Sequence, residues 1–154
     1  MALYNSGGLR ADLAAGAVTV GDIYEIFPFG NPAVTFTLTG GEILGLMLGN
    51  AAASMESNRG AMQISGVQFT WRERMGVPEV VDLRIGGQSV DVDARYRVVS
   101  NSYVVDQADR YLRSAVPAEV DSLGRTIFEI AVEAAEGGPI RAPTRGRMAQ
   151  VLDD

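Results

Sequence analysis

The sequence predicts a single α+β domain over residues 1–154, a layered α/β/β/α sandwich with mixed sheets. Three observations predict it. Stretches with a two-residue apolar period and stretches with a helical one alternate along the chain. Short glycine turns join neighbouring strand candidates, which argues for hairpins within a mixed sheet rather than a purely parallel one. Finally, 154 residues with 47% apolar and 21% charged side chains suffice for one core; a chain of this size hides roughly 70% of its open surface on folding.

The elements follow in order. Ala2, Leu3 and Tyr4 read as the remnant of a strand, so the chain is expected to lack a piece upstream. Asn5-Ser6-Gly7-Gly8-Leu9-Arg10 then turns the backbone. Thr19 with Asp22 three positions on marks a helix start, and Pro28 ends that helix in the stiff loop Phe27-Pro28-Phe29-Gly30-Asn31-Pro32. Residues 33–38 alternate as a half-buried strand. Thr39-Gly40-Gly41-Glu42 repeats the capping spacing and opens a helix carrying Ile43, Leu46, Met47 and Asn50 on one side, fraying near Ser57-Asn58-Arg59-Gly60.

From residue 62 the period changes to two, with Ile64, Val67, Phe69 and Trp71 on the apolar face and a bulge expected at Gly66. Strands over 80–85 and 89–93 flank Gly86-Gly87, and 96–101 is another strand. Thr126 and Glu129 open a last helix that stops at Gly137-Gly138-Pro139. Met148 and Val151 make a short apolar return.

Composition removes several functions. A net charge of −6 argues against tracking nucleic-acid phosphates. There is no cysteine and no histidine, hence no disulfide, no thiolate nucleophile, no serine–histidine triad and no histidine-bearing metal site. All thirteen basic residues are arginine, a bias that nucleotide composition explains as well as anion recognition does. No apolar run approaches the ~20 residues that span a bilayer.

Three stretches could carry chemistry. In the first, these residues by themselves read as a glycine turn with Arg10 on the surface, while the functional reading has the Gly7 and Gly8 amides facing an anion that Arg10 clamps. In the second, proline holds Phe29 rigid where a planar ligand can stack, or anchors it in the core. In the third, residues 100–111 present Tyr103, Asp106 and Asp109 on an expected loop. Tyr103 could stack on a ring and Asp109 could accept hydrogen bonds from a sugar diol. Nothing near Asp106 and Asp109 would tune a carboxylate pair apart.

Read together, these stretches resemble the C-terminal, substrate-binding domain of the 5′-nucleotidase, UDP-sugar hydrolase and 2′,3′-cyclic phosphodiesterase family. Residues 5–10 and 27–31 look like its Asn-x-Gly-Gly-Ile/Leu-Arg segment running into Pro-Phe-Gly-Asn, and 37–44, 62–71, 96–111 and 137–148 follow in the family's order. The resemblance implies a phosphate-side clamp at Arg10 and a polar nucleotide contact at Asn5. It implies close backbone approach at Gly7 and Gly8, an aromatic sandwich of Phe29 and Tyr103, and a ribose contact at Asp109.

Two departures stand out. Tyr103 occupies a place where the family usually has phenylalanine, and Gln107-Ala108-Asp109-Arg110 replaces a usual Gly-Gly-Asp-Gly turn. The family's leading helix, with another substrate-binding arginine, is also expected to be missing. The resemblance further implies no catalytic residue, metal or cofactor within this chain. Hydrolysis of nucleotide phosphate esters would belong to an N-terminal metallophosphoesterase domain of the same protein carrying a divalent metal pair, in a periplasmic, secreted or cell-surface setting. This chain alone would be inactive. The alternatives are a non-catalytic binding module, or the same domain in a relative acting on another substrate, such as a thiosulfohydrolase.

Overall fold

The computed structural model describes residues 1–56, 61–113, 115–143 and 145–152. Nine strands form two mixed sheets among these residues. The first is built from β1 (Ala2–Asn5), β2 (Pro32–Thr39), β3 (Met62–Ser65), β7 (Arg95–Asn101) and β8 (Ala118–Thr126), in the order β3-β1-β7-β2-β8. The second is built from β4 (Val67–Arg74), β5 (Val77–Ile85), β6 (Gln88–Ser89) and β9 (Met148–Gln150), in the order β6-β5-β4-β9. The mixed-sheet α+β sandwich is therefore the observed class.

Three helices start where the threonine spacing predicts. In α1 (Val20–Ile26), α2 (Gly40–Met55) and α5 (Ile127–Glu136), a threonine accepts from the backbone three residues on, and the acid there accepts from the threonine amide. Each box satisfies orphan donors of the first turn. The expected fraying of the second helix falls on 57–60, outside the described residues.

The side chains of Val34, Phe36 and Leu38 on one face of β2 share a core with Ile43, Leu46 and Met47 of α2, Val67, Phe69 and Trp71 of β4, and Val98 of β7. Ala33 and Thr35, on the opposite face of β2, are buried as well, and so are Ile23 and Ile26 of α1 outside that core. Tyr24 and Phe128 pack edge-on at 5.8 Å and join α1 to α5. Asn50 is a buried polar residue with full partners: its Oδ1 accepts from the Met62 amide at 2.8 Å, and its Nδ2 donates to the Met62 carbonyl at 3.0 Å.

Two expectations need correction, and one strand was not foreseen. The strand expected over 89–93 ends at Ser89. Beyond it, the Asp93 amide bonds Asp91 Oδ1, while the Val92 and Ala94 carbonyls accept from the Gly41 and Gly40 amides, so this loop caps α2 instead of extending the hairpin. The stretch after β7 is helical rather than a loop, forming α3 (Ser102–Asp106) and α4 (Ala108–Tyr111). Strand β8 has no counterpart in the sequence reading. The glycine hairpin does form, with Gly86 and Gly87 at φ 60° and 82°, the left-handed pair that a tight two-residue turn requires.

Candidate functional site

Sheet register gathers the three candidate stretches at one end of the first sheet. Strand β7 runs parallel to β1, and Ala33 of the antiparallel β2 stands opposite Asn101. The exits of β1 and β7 and the entrance of β2 therefore share an edge. Phe29 lies four residues before Ala33, and Tyr103 lies two residues after its partner Asn101. The Arg10 amide donates to the Ile26 carbonyl at 3.1 Å, which ties the first stretch to the start of the Phe27–Pro32 loop. The far side of that loop is held by Ile127, whose amide donates to the Asn31 carbonyl at 3.2 Å.

At the exit of β1, Ser6–Gly8 makes one 3₁₀ turn. Neither glycine is left-handed, so the need for glycine here is steric. A Cβ on Gly8 would stand 2.6 Å from Tyr4 Cε1, whereas a Cβ on Gly7 would meet nothing within 4 Å. Gly8 thus lets the turn close on the Tyr4 ring, which stands edge-on to Phe27 at 5.9 Å, and Gly7 leaves a bare stretch of backbone. The exposed Arg10 reaches back to the Gly7 carbonyl at 3.4 Å.

At the exit of β7, Asn101 is fully buried and does two jobs. Its Oδ1 accepts from the Val104 amide at 3.0 Å, capping α3, and its Nδ2 donates to Asn5 Oδ1 at 2.9 Å. Asn5 is buried beneath the edge, with its side-chain oxygen engaged by Asn101. Tyr103 follows, 38% exposed, and the Tyr111 ring lies 5.7 Å away at a 57° tilt. The Arg110 guanidinium sits 5.2 Å from the Tyr111 centroid.

Phe29 is 46% exposed and belongs to no aromatic pair among the described residues. Asp109 is exposed in the first turn of α4. Where a Gly-Gly-Asp-Gly turn was the reference, residues 107–110 achieve their path with two short helices and no left-handed residue. Asn101, Arg110 and Tyr111 escaped the sequence reading. The Asn101–Val104 capping distance was the available signal for the first of them.

Burial holds the Tyr111 phenol above its ordinary value; Tyr103 adds to this, while Arg110 and Asn5 pull the other way. The phenol is therefore protonated, and a donor, throughout the neutral range. No group of three or more acidic, histidine or cysteine residues that could hold a metal exists among the described residues, and the sequence has neither histidine nor cysteine. The donor set does not fit a dinuclear metal centre, and no chemical step is assigned to one here.

A cleft of about 750 Å³ lies elsewhere, lined by Leu13, Val18, Ile23, Val132, Ile140 and Pro143 among others. It meets the start of α1 and the end of α5, whereas the candidate edge meets their opposite ends. None of the predicted site residues lines it.

The described residues form an α+β domain of two mixed sheets, with aromatic, arginine and glycine positions gathered at one end of the first sheet. Residues 1–115 match the family model of the 5′-nucleotidase C-terminal domain, and the chain belongs to that family.

Three relatives give the scale of the likeness. The chain is 27% identical to the trifunctional nucleotide phosphoesterase protein YfkN of Bacillus subtilis, over 99% of this chain and 11% of that protein. It is 32% identical to a 5′-nucleotidase of Vibrio parahaemolyticus, over 71% of this chain and 19% of that protein. The crystal structure of a 5′-nucleotidase precursor from Thermus thermophilus superposes with a TM-score of 0.82 at 31% identity, covering 99% of this chain and 32% of that one. The chain thus spans a tenth to a fifth of the length of these two curated relatives.

Proposed function

We propose that this domain binds a nucleotide at the end of the first sheet and presents its phosphate to a catalytic domain of the same protein, within a 5′-nucleotidase-like phosphoesterase. The observation that carries this reading is the gathering of Phe29, Tyr103 and Arg10 at one sheet edge, two partly exposed rings and one exposed cation, in a member of this family. The two rings act as opposing plates for a base, and each stacked face is worth roughly 1–3 kcal/mol. Arg10 draws the phosphate by a charge-assisted, fork-shaped contact. Gly7 admits the ligand close to backbone, and Asp109 accepts from the sugar hydroxyls. Asn5 contributes from beneath by holding the edge together.

The chain alone does not hydrolyse phosphate esters. A divalent metal pair in the parent's metallophosphoesterase domain would supply the activated water, and binding here supplies orientation. By the same family likeness, the parent works outside the cytoplasm in nucleotide breakdown.

Calorimetric titration of the chain with AMP, adenosine, inorganic phosphate and thiosulfate tests this. AMP should bind, adenosine more weakly, and Phe29→Ala or Tyr103→Ala should remove most of the affinity for both. Saturable thiosulfate binding without nucleotide binding would move the site to another substrate class. Binding of none of the four would leave an interaction module. Manganese-dependent phosphate release from AMP by the pure chain would overturn the division of labour.

A further inference from the structure

We propose that Tyr111 is the positioning residue of this site: it fixes the plane of the Tyr103 ring and so sets the width of the slot offered to a planar ligand. The inference rests on the nucleotide-binding reading above and adds to it a residue that stacks on nothing itself.

Ring packing and hydrogen bonds surround Tyr103. Its ring packs against Tyr111 at 5.7 Å. Tyr103 and the Asn5 side chain both act on the Tyr111 hydroxyl, Tyr103 raising its pKa and Asn5 lowering it. Asn5 is held by Asn101 at 2.9 Å, and Asn101 caps the helix that carries Tyr103 through the Val104 amide at 3.0 Å. Arg110 over the Tyr111 ring adds a cation–π contact at 5.2 Å.

The local helices cannot supply this order. At five and four residues, α3 and α4 are far below the length at which a helix holds itself together. What fixes Tyr103 is the network under it, anchored on two buried asparagines. Tyrosine at position 103 is part of the device, since phenylalanine would keep the stacking face and lose the hydroxyl that acts on Tyr111. Two tyrosines eight positions apart on consecutive short helices thus work as one rigid wall.

The experiment compares Tyr111→Phe, Tyr103→Phe and the double variant of the chain by AMP titration, far-ultraviolet and near-ultraviolet circular dichroism, and urea unfolding. Each single variant should keep the far-ultraviolet spectrum, lose part of the tyrosine near-ultraviolet band, and bind AMP about fivefold more weakly, the worth of one modest polar interaction. The double variant should be no worse than either single one, because both delete the same contact. Affinity losses that multiply in the double variant overturn the inference, as does unchanged affinity in Tyr111→Phe.

If the wild-type chain binds no AMP, the nucleotide reading fails by itself. The near-ultraviolet band and the coupling of the two substitutions in urea unfolding then decide about Tyr111. Coupled effects retain the positioning role, and independent ones remove it.

Discussion

Asn101 donates its side-chain amide to Asn5 Oδ1 over 2.9 Å, joining the ends of two parallel, adjacent strands. Both residues are buried. Asn101→Ala would leave the Asn5 oxygen without its donor and strip the Val104 amide of its cap. The summed cost is about 3 kcal/mol, one stranded buried acceptor plus one helix cap. Urea unfolding at neutral pH measures it, and a loss under about 1 kcal/mol would mean that the two strand ends are held by something else.

The two glycines after Asn5 should behave differently. Gly8→Ala drives a methyl into the Tyr4 ring, whose position is shared with Phe27. Overpacking of this kind costs about 1–3 kcal/mol. Gly7→Ala meets open space and should leave stability within about 0.5 kcal/mol of wild type. If Gly7 is where ligand approaches the backbone, Gly7→Ala still weakens AMP binding. Paired unfolding and titration curves separate the two effects, and equal unfolding midpoints for both variants would refute the steric account of Gly8.

Among the described residues, Arg10 makes one long side-chain bond, to the Gly7 carbonyl at 3.4 Å, so little of the fold rests on it. Arg10→Ala should leave the unfolding midpoint in place while lowering AMP affinity about tenfold, the range of a charged hydrogen bond. Adenosine affinity should hardly move. A parallel fall for adenosine would take Arg10 off the phosphate side.

Acid should weaken the fold through its caps. The Thr19 hydroxyl holds the Asp22 carboxyl below its ordinary value, and the Thr126 amide does the same for Glu129. For Glu42, partial burial works upward, but the Thr39 and Val116 amides, the Thr39 hydroxyl and Arg95 together outweigh it and the net shift is down. A carboxylate depressed in the folded state stabilises above its unfolded value, and that stability drains away as pH falls through the folded one. The midpoint of thermal unfolding should hold from pH 7 to about pH 5 and fall steadily below about pH 4.5. Glu42→Gln, which removes the charged acceptor linking α2 to the Val116 amide, should show a lower midpoint at pH 7 and a shallower acid decline. Curves that stay parallel down to pH 3 would refute the assignment.

These caps were also the most legible part of the sequence, because Thr19 and Asp22, Thr39 and Glu42, and Thr126 and Glu129 act across three residues of their own chain. The strand β8 was illegible for the opposite reason. Its stretch Ala118–Thr126 is exposed along nearly its whole length and pairs with β2 through two register shifts, so no apolar alternation marks it. At the site, Arg10, Phe29 and Tyr103 could be named from glycine, proline and aromatic patterns. Tyr111 and the Asn5–Asn101 bond could not, since partners 96 residues apart meet only through the sheet register. The loop expected over 100–111 is helical because Asn101, at the end of β7, caps α3, and α4 follows it directly.

The turn between β4 and β5 offers a test of the backbone alone. Arg74 pairs with Val77, so Met75 and Gly76 form a two-residue hairpin with φ 53° and 79°, both left-handed. Glycine tolerates that geometry, but an unbranched apolar side chain does so at a cost. Met75 is also 99% exposed and recovers nothing by packing. Asparagine favours the first position of such a turn, and Asn-Gly is its preferred pair. Met75→Asn should therefore raise the unfolding free energy by about 0.5–1 kcal/mol, without altering AMP binding at the distant sheet edge. A neutral or destabilising result in urea would show that the hairpin is set by cross-strand packing of β4 on β5 and not by its turn.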